Sequence, residues 1–246
     1  MIHEAKFAYL KAHEILWKHG YWKYLLLPIA ISIVLAVLLL LLCLGFSSWL
    51  SGWTLDVLAK WIALPGWIQP ILTILLFCLS ATPCYVAFRS LVLLAYAPFL
   101  DQLAVQAETL VNGEVRTTQR SLPQTLRRPL LMASITIPLS LLLLIGGFAI
   151  GLIPVVGVFL TGLIILPLQL FLSAVAYIDP YLDRCDHNPL ASLRMMRKQF
   201  FNVMFFGLVG LLLTFIPIIG WFLAPTYSVA AGIVFGILLQ QSKHNH

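Results

Sequence analysis

Charge is what this sequence has least of. Of its 246 residues, 10% are Asp, Glu, Lys or Arg and 61% are hydrophobic, with a mean hydropathy of +0.98. Soluble domains carry about 25% charged residues, and a chain of this length cannot hide so much apolar surface from water. Lipid must cover it. That excludes an ordinary cytosolic enzyme, a disordered chain and a disulfide-stapled secreted module. Cysteine is scarce as well. Cys43, Cys78, Cys84 and Cys185 show no C-x-x-C spacing, and three of them sit in apolar runs, where a thiol acts as a small hydrophobe. Enzyme signatures are missing. There is no G-x-x-x-x-G-K-[ST], G-x-S-x-G, H-E-x-x-H or G-x-G-x-x-G, so neither an ATP-driven step nor a familiar nucleophile or metal site is expected. No histidine pair stands at ligand spacing on one expected helix, and no cofactor or metal is expected.

The charge that is present is unbalanced, 15 Lys and Arg against 9 Asp and Glu, for a net +6. It lies between apolar blocks, which reads as membrane topology and lipid contact, not nucleic acid. Uncharged runs cover residues 24–55, 61–88, 129–178 and 199–242. A spanning helix needs ~20 residues to cross ~30 Å of hydrocarbon. The first two runs fit one spanning helix each, near 25–44 and 68–95. The last two are too long for one crossing, and each is interrupted by the same phrase. Residues 153–160 read Ile-Pro-Val-Val-Gly-Val-Phe-Leu and residues 216–223 read Ile-Pro-Ile-Ile-Gly-Trp-Phe-Leu. Proline ends a helix and glycine permits a tight turn, so each long run is expected to be a helical hairpin with an apolar tip.

The fold class expected is therefore an all-α integral membrane protein. It has two long transmembrane helices, two Pro/Gly-tipped re-entrant hairpins and cytoplasmic amphipathic helices. The segments are an amphipathic lead (1–24, with no cleavage site for a removable signal), a transmembrane pair (25–99) and a cytoplasmic amphipathic and basic segment (100–129). Hairpin 1 (130–178), a cytoplasmic connector (179–202), hairpin 2 (203–239) and a tail (240–246) complete one domain. Residues 1–24, 89–129 and 179–202 carry several Lys or Arg each and the tail carries Lys243, whereas 45–66 holds only Lys60, offset by Asp56. By the positive-inside rule that loop alone faces outward and both termini are cytoplasmic. Residues 203–215 reach only about 20 Å as a helix, so hairpins sheltered at half depth are set against a rival of four full crossings. In 100–113, Leu100, Leu103, Ala104, Ala107, Leu110 and Val111 follow helical spacing up to Asn112-Gly113, and this stretch is expected on the inner membrane face.

Candidate anion-pathway residues follow from charge and backbone. Arg89 sits inside the second spanning segment, where an arginine must pair, snorkel or line a watery path. Lys23 opens the first. Arg127 and Arg128 precede hairpin 1 and either gather anions or anchor to headgroups. Helices restart at Gly157 and Gly220, so their N-terminal amides can point at an anion, the alternative being a turn that only packs. Gly147-x-x-x-Gly151 and Gly232-x-x-x-Gly236 allow close helix approach within or between chains.

The order of Leu27-Pro28, Ala97-Pro98-Phe99, Leu103-Ala104, Gln106, Glu108, Gly113, Asp179-Pro180-Tyr181, Arg194 to Lys198, Phe206-Gly207, Ile216-Pro217 and Pro225 resembles the CysZ/etoposide-induced-protein family. The resemblance implies an inner-membrane, all-helical, often oligomeric protein and, for bacterial members, sulfate uptake feeding cysteine synthesis without ATP hydrolysis. Trp22-Lys23 stands where bacterial sulfate members typically carry an arginine pair, and a lysine is a point charge without the fork of an arginine. The leading expectation is a permease or channel for a small oxyanion, sulfate first. A non-transporting membrane scaffold of the same family is the alternative, and a lipid-acting membrane enzyme is more distant.

Overall fold

In a computed structural model, residues 2–18, 20–22, 26–60, 65–111, 113, 122–151, 153, 155–216 and 219–244 are described. Among them every regular element is helical. The order is α1 (Ile2–His13) with a π turn (Glu14–Lys18), α2 (Leu26–Ala59), α3 (Ile68–Val111), α4 (Leu122–Gly151) and α5 (Val156–Leu160) with a second π turn (Thr161–Ile165). Then come α6 (Leu166–Arg184), α7 (Pro189–Lys198), α8 (Phe200–Thr214) and α9 (Ile219–His244). Four stretches among the described residues are long and apolar enough to cross a bilayer, at Ile29–Leu58, Leu126–Gly151, Val156–Arg184 and Leu223–Gln241. The α7–α8 pair, bent by 93°, makes a fifth if counted as one broken span.

α2 and α3 form a long antiparallel pair. The expected end of the first spanning helix near residue 44 is not there, because α2 runs on to Ala59. Its polar residues do not stop it. The hydroxyls of Ser47, Ser51 and Thr54 donate to the carbonyls of Leu44, Ser48 and Leu50 one turn back, so these three hydroxyls do not ask for water. Thr73 of α3 donates to Ser51 at 2.8 Å. Deeper along the pair, Cys43 and Cys84 meet sulfur to sulfur. This corrects the reading of these cysteines as separate small hydrophobes. Sequence spacing reports only neighbours on one helix, and this pairing crosses between two.

α3 is also longer than its charge pattern implies. A spanning helix and a separate surface helix were distinct expectations, yet one helix passes through Ala97-Pro98-Phe99 to Val111. Leu100, Leu103, Ala104 and Ala107 are buried in the protein core, not laid on lipid. The expected stop holds: Gly113, at φ 71°, donates its N–H to the Glu108 carbonyl, a left-handed ending that glycine adopts without strain.

The core centres on α9, where residues 228–237 are all buried. A helix apolar on every side belongs in the middle of a bundle. α1 straps across α8 and α9 by burying Ala5, Ala8, Tyr9 and Ala12, with Ile15 and Leu16 of its π turn. The Tyr9 hydroxyl reaches the Phe206 carbonyl at 3.3 Å and Ser228 Oγ at 3.1 Å. Burial pushes the Tyr9 hydroxyl pKa well above its ordinary value, with the Ser228 bond opposing in part. Farther along, His13 and Trp17 both bond to the Tyr227 hydroxyl.

Candidate functional site

The described residues of the repeated phrase make the same backbone bonds twice. The Gly157 N–H donates to the Ile153 carbonyl at 2.9 Å, and the Gly220 N–H to the Ile216 carbonyl at 2.9 Å. Before each, Ile153 and Ile216 close the arriving helix on Ile150 and Leu213. A Cβ on Gly157 would collide with the Ile150 carbonyl, and one on Gly220 with the Leu213 carbonyl. Glycine is therefore required where the restarting helix passes the last turn of the arriving one. Val155 makes the reversal at φ 64°. The amides of Gly157 and Gly220 are thus already bonded inside their own turns, so neither glycine offers its own N–H to an anion. Their role in the geometry is close packing.

Between the hairpins lies a cavity of about 650 Å³. Once the two tips are put in register, its walls come from equivalent positions of the repeat. Gly147 and Gly210 face it, as do Gly151 and Thr214, and Ile165 and Ser228. The small residues leave the space. The lining is mainly apolar, with one polar stripe on α6 formed by Gln169, Ser173 and Tyr177 at successive helical turns. Several donors here serve the protein itself. Gln169 Nε2 donates to the Ser140 carbonyl at 2.6 Å and Thr161 to the Gly147 carbonyl at 3.2 Å. Among the described residues that line the cavity none carries a charge. Its volume equals about twenty water molecules at ~30 Å³ each, which is room for a small ion that keeps much of its hydration.

The charged residues gather at the base of the hairpins. Arg128, at the start of α4, is buried and grips Asp179 of α6 with two bonds, Nε to Oδ2 at 2.9 Å and Nη2 to Oδ1 at 2.8 Å. It also donates to the His187 carbonyl at 2.7 Å and to Ser192 Oγ at 2.9 Å, and lies 3.7 Å from Asp183. Four of its five N–H donors are occupied. Expected in an anion pathway, Arg128 instead ties the two arms of hairpin 1 to each other and to the connector. Its neighbour Arg127 is exposed. A second buried group lies on the same end of α6. Arg184 Nε stands 3.6 Å from Glu108 of α3, and the Tyr181 hydroxyl donates to Glu108 at 3.2 Å. Arg89 lies on the α3 backbone, with its side chain outside the described set. Lys23 lies outside the described residues. Among the described residues no group of three His, Cys, Asp or Glu side chains is placed to hold a metal ion.

The glycine pairs are used within the chain. A Cβ on Gly147 would come within 3.1 Å of Ile165 in the same hairpin, and one on Gly232 would strike the Tyr177 carbonyl of α6. Asp179, Glu108 and the α6 stripe were missed as functional positions in the sequence. The stripe had a signal, polar residues every four positions in an apolar run. The ion pairs had none, since their partners lie 51 and 76 positions apart.

The chain matches the model of the family described as Sulfate transporter CysZ/Etoposide-induced protein 2.4 over residues 8–225. A protein named sulfate transporter CysZ, from Pseudomonas fluorescens (strain Pf0-1), is 28% identical over 223 residues, covering 87% of this chain and 85% of the relative. With four apolar helices of spanning length, that match places the chain as a multi-pass membrane protein belonging to the sulfate transporter CysZ/etoposide-induced protein family.

Proposed function

We propose that this chain is a permease or channel that passes a small oxyanion, sulfate first, down its gradient without ATP hydrolysis. The observation that carries the reading is the cavity between the hairpins, walled by matching positions of one internal repeat. Binding sites between repeats are a recurring solution in transporters. The relative's name supplies the ion. A dianion stripped of water in an uncharged apolar space is very costly, so the ion keeps much of its shell. Fixed positive charge supplies attraction at the ends of the path, and Lys23, Arg89 and Arg127 are the residues proposed for it. Arg128, Gly157 and Gly220 hold the geometry of the path.

The proposed layout is re-entrant, with both hairpins leaving on the face they entered, termini cytoplasmic, in the bacterial inner membrane and assembled as a homo-oligomer. The Arg128–Asp179 pair at the base of both arms of hairpin 1 supports the shared face. The arms of hairpin 1 are long enough to reach across. α8 has 15 residues, about 22 Å at 1.5 Å per residue, so hairpin 2 stops short. The scaffold alternative needs free glycine faces for partner helices, and Gly147 and Gly232 are covered within the chain. Flux of labelled sulfate into proteoliposomes, with Lys23→Ala and Arg89→Ala beside the wild type, tests the reading. Wild-type flux no greater than that of empty liposomes refutes it. Cysteine labelling at Val155 and Ile218 from each side fixes the hairpin depth.

A further inference from the structure

We infer that the outward face of α7 is a docking surface for the phosphate headgroups of anionic phospholipid. Three observations meet there. First, α7 and α8 are bent by 93°, so with α8 entering the bilayer α7 lies along its surface. Second, α7 is two-faced. Ser192 and Met196 are buried, while Arg194, Arg197 and Lys198 are exposed, and none of these three has an ion-pair partner among the described residues. Third, bulky exposed apolar side chains flank the cations in the chain, Leu190 on α7 and Phe201 at the start of α8. Leu190 is 75% exposed and Phe201 is 60% exposed.

A helix that offers cations and greasy side chains together suits the boundary between headgroups and acyl chains. A face meant only for water would have no use for Leu190. The inner side of α7 is held firmly, because the buried Arg128 bonds to Ser192 Oγ and to the His187 carbonyl. The clamp at the base of hairpin 1 therefore also sets which way the basic face points. Free oxyanion shares the phosphate's chemistry, but dissolved ions gain nothing from Leu190 and Phe201, and the lipid gains from both.

The test uses the full-length protein in detergent, titrated with phosphatidylglycerol, with phosphatidylcholine as the neutral control, and read by thermal shift and by native mass spectrometry of bound lipid. The variants are Arg194→Gln/Arg197→Gln/Lys198→Gln together, and Lys60→Gln as a control cation on the α2–α3 turn. Basic residues near a surface attract anionic lipid independently, so the triple variant should lose about tenfold or more in apparent phosphatidylglycerol affinity, with Lys60→Gln unchanged. The Arg197→Lys variant should keep most of it, which separates charge from folding. Sulfate at matched ionic strength should not displace the lipid. An unchanged phosphatidylglycerol response in the triple variant overturns the inference. So does displacement by sulfate, which would make the face a collector of free anion.

Discussion

Arg128 and Asp179 form a two-bonded ion pair at the base of hairpin 1, at 2.9 and 2.8 Å, with side chains 8% and 2% exposed. The pair joins the first turns of α4 to the last turns of α6. Through Ser192 and the His187 carbonyl it also fixes the connector to hairpin 2.

Breaking this pair from one side should be severe. Arg128→Met leaves a buried carboxylate without its cation, which typically costs about 3–5 kcal/mol. Arg128→Met with Asp179→Leu should recover a large part. Thermal unfolding in detergent, followed by monodisperse elution on heating, reads both. A loss in the double variant equal to the sum of the losses in Arg128→Met and Asp179→Leu alone would show that the two residues act independently.

The tip glycines should behave as packing residues. Gly220→Ala places a methyl against the Leu213 carbonyl, and overpacking of this kind costs about 1–3 kcal/mol. Any loss of sulfate flux in Gly157→Ala or Gly220→Ala should follow the loss of stability. A variant of full stability with abolished flux would point instead to a direct part in ion passage.

Ser173 lies on the polar stripe of the cavity. If the ion travels with its water, volume matters more than one hydroxyl. Ser173→Ala should keep sulfate flux within about twofold, and Ser173→Leu should cut it about tenfold, since narrowing an apolar passage drives out water. Proteoliposome flux at equal protein loading distinguishes them. An unaltered rate in Ser173→Leu would place the path elsewhere.

The strap of α1 should weaken in alkali. Burial raises the folded pKa of Tyr9 above its ordinary value of 10.0. The unfolded state therefore releases its proton first as pH rises. The stabilising contribution is complete below pH 10 and is lost progressively above it. Tyr9→Phe should lose about 1 kcal/mol at neutral pH for the missing bonds and show a shallower decline above pH 10. Melting temperatures of both proteins across the alkaline range make the comparison.

Cys43 and Cys84 should link within one chain. Maleimide labelling before and after reduction, read by peptide mass, should find Cys185 reactive throughout, since it is free. Cys43 and Cys84 should react only after reduction. Labelling of Cys43 without reductant would show the two thiols to be separate.

Much of this architecture was readable from residue order. Charge-free runs, the doubled Ile-Pro-x-x-Gly phrase and the Asn112-Gly113 stop each depend on neighbours within a few turns, and helix breaks and a helix end fall where these signals sit. The misreadings share one cause. At Ser47, Ser51 and Thr54 side chains satisfied by their own helix let α2 continue, and at 100–107 an amphipathic face meant for some surface found protein in place of lipid. Arg127 and Arg128 look alike in sequence, and only the path of α6 decides that one is exposed and the other clamped.

By itself the sequence determined that this chain lives in lipid as helices and hairpins, because hydrophobic length and backbone hydrogen bonding are local demands that each segment must meet alone. Only the tertiary structure decided which donors are already bonded, where the cavity lies and which cations remain exposed. Those properties belong to pairs of groups far apart in the chain, and no segment carries them until the helices pack.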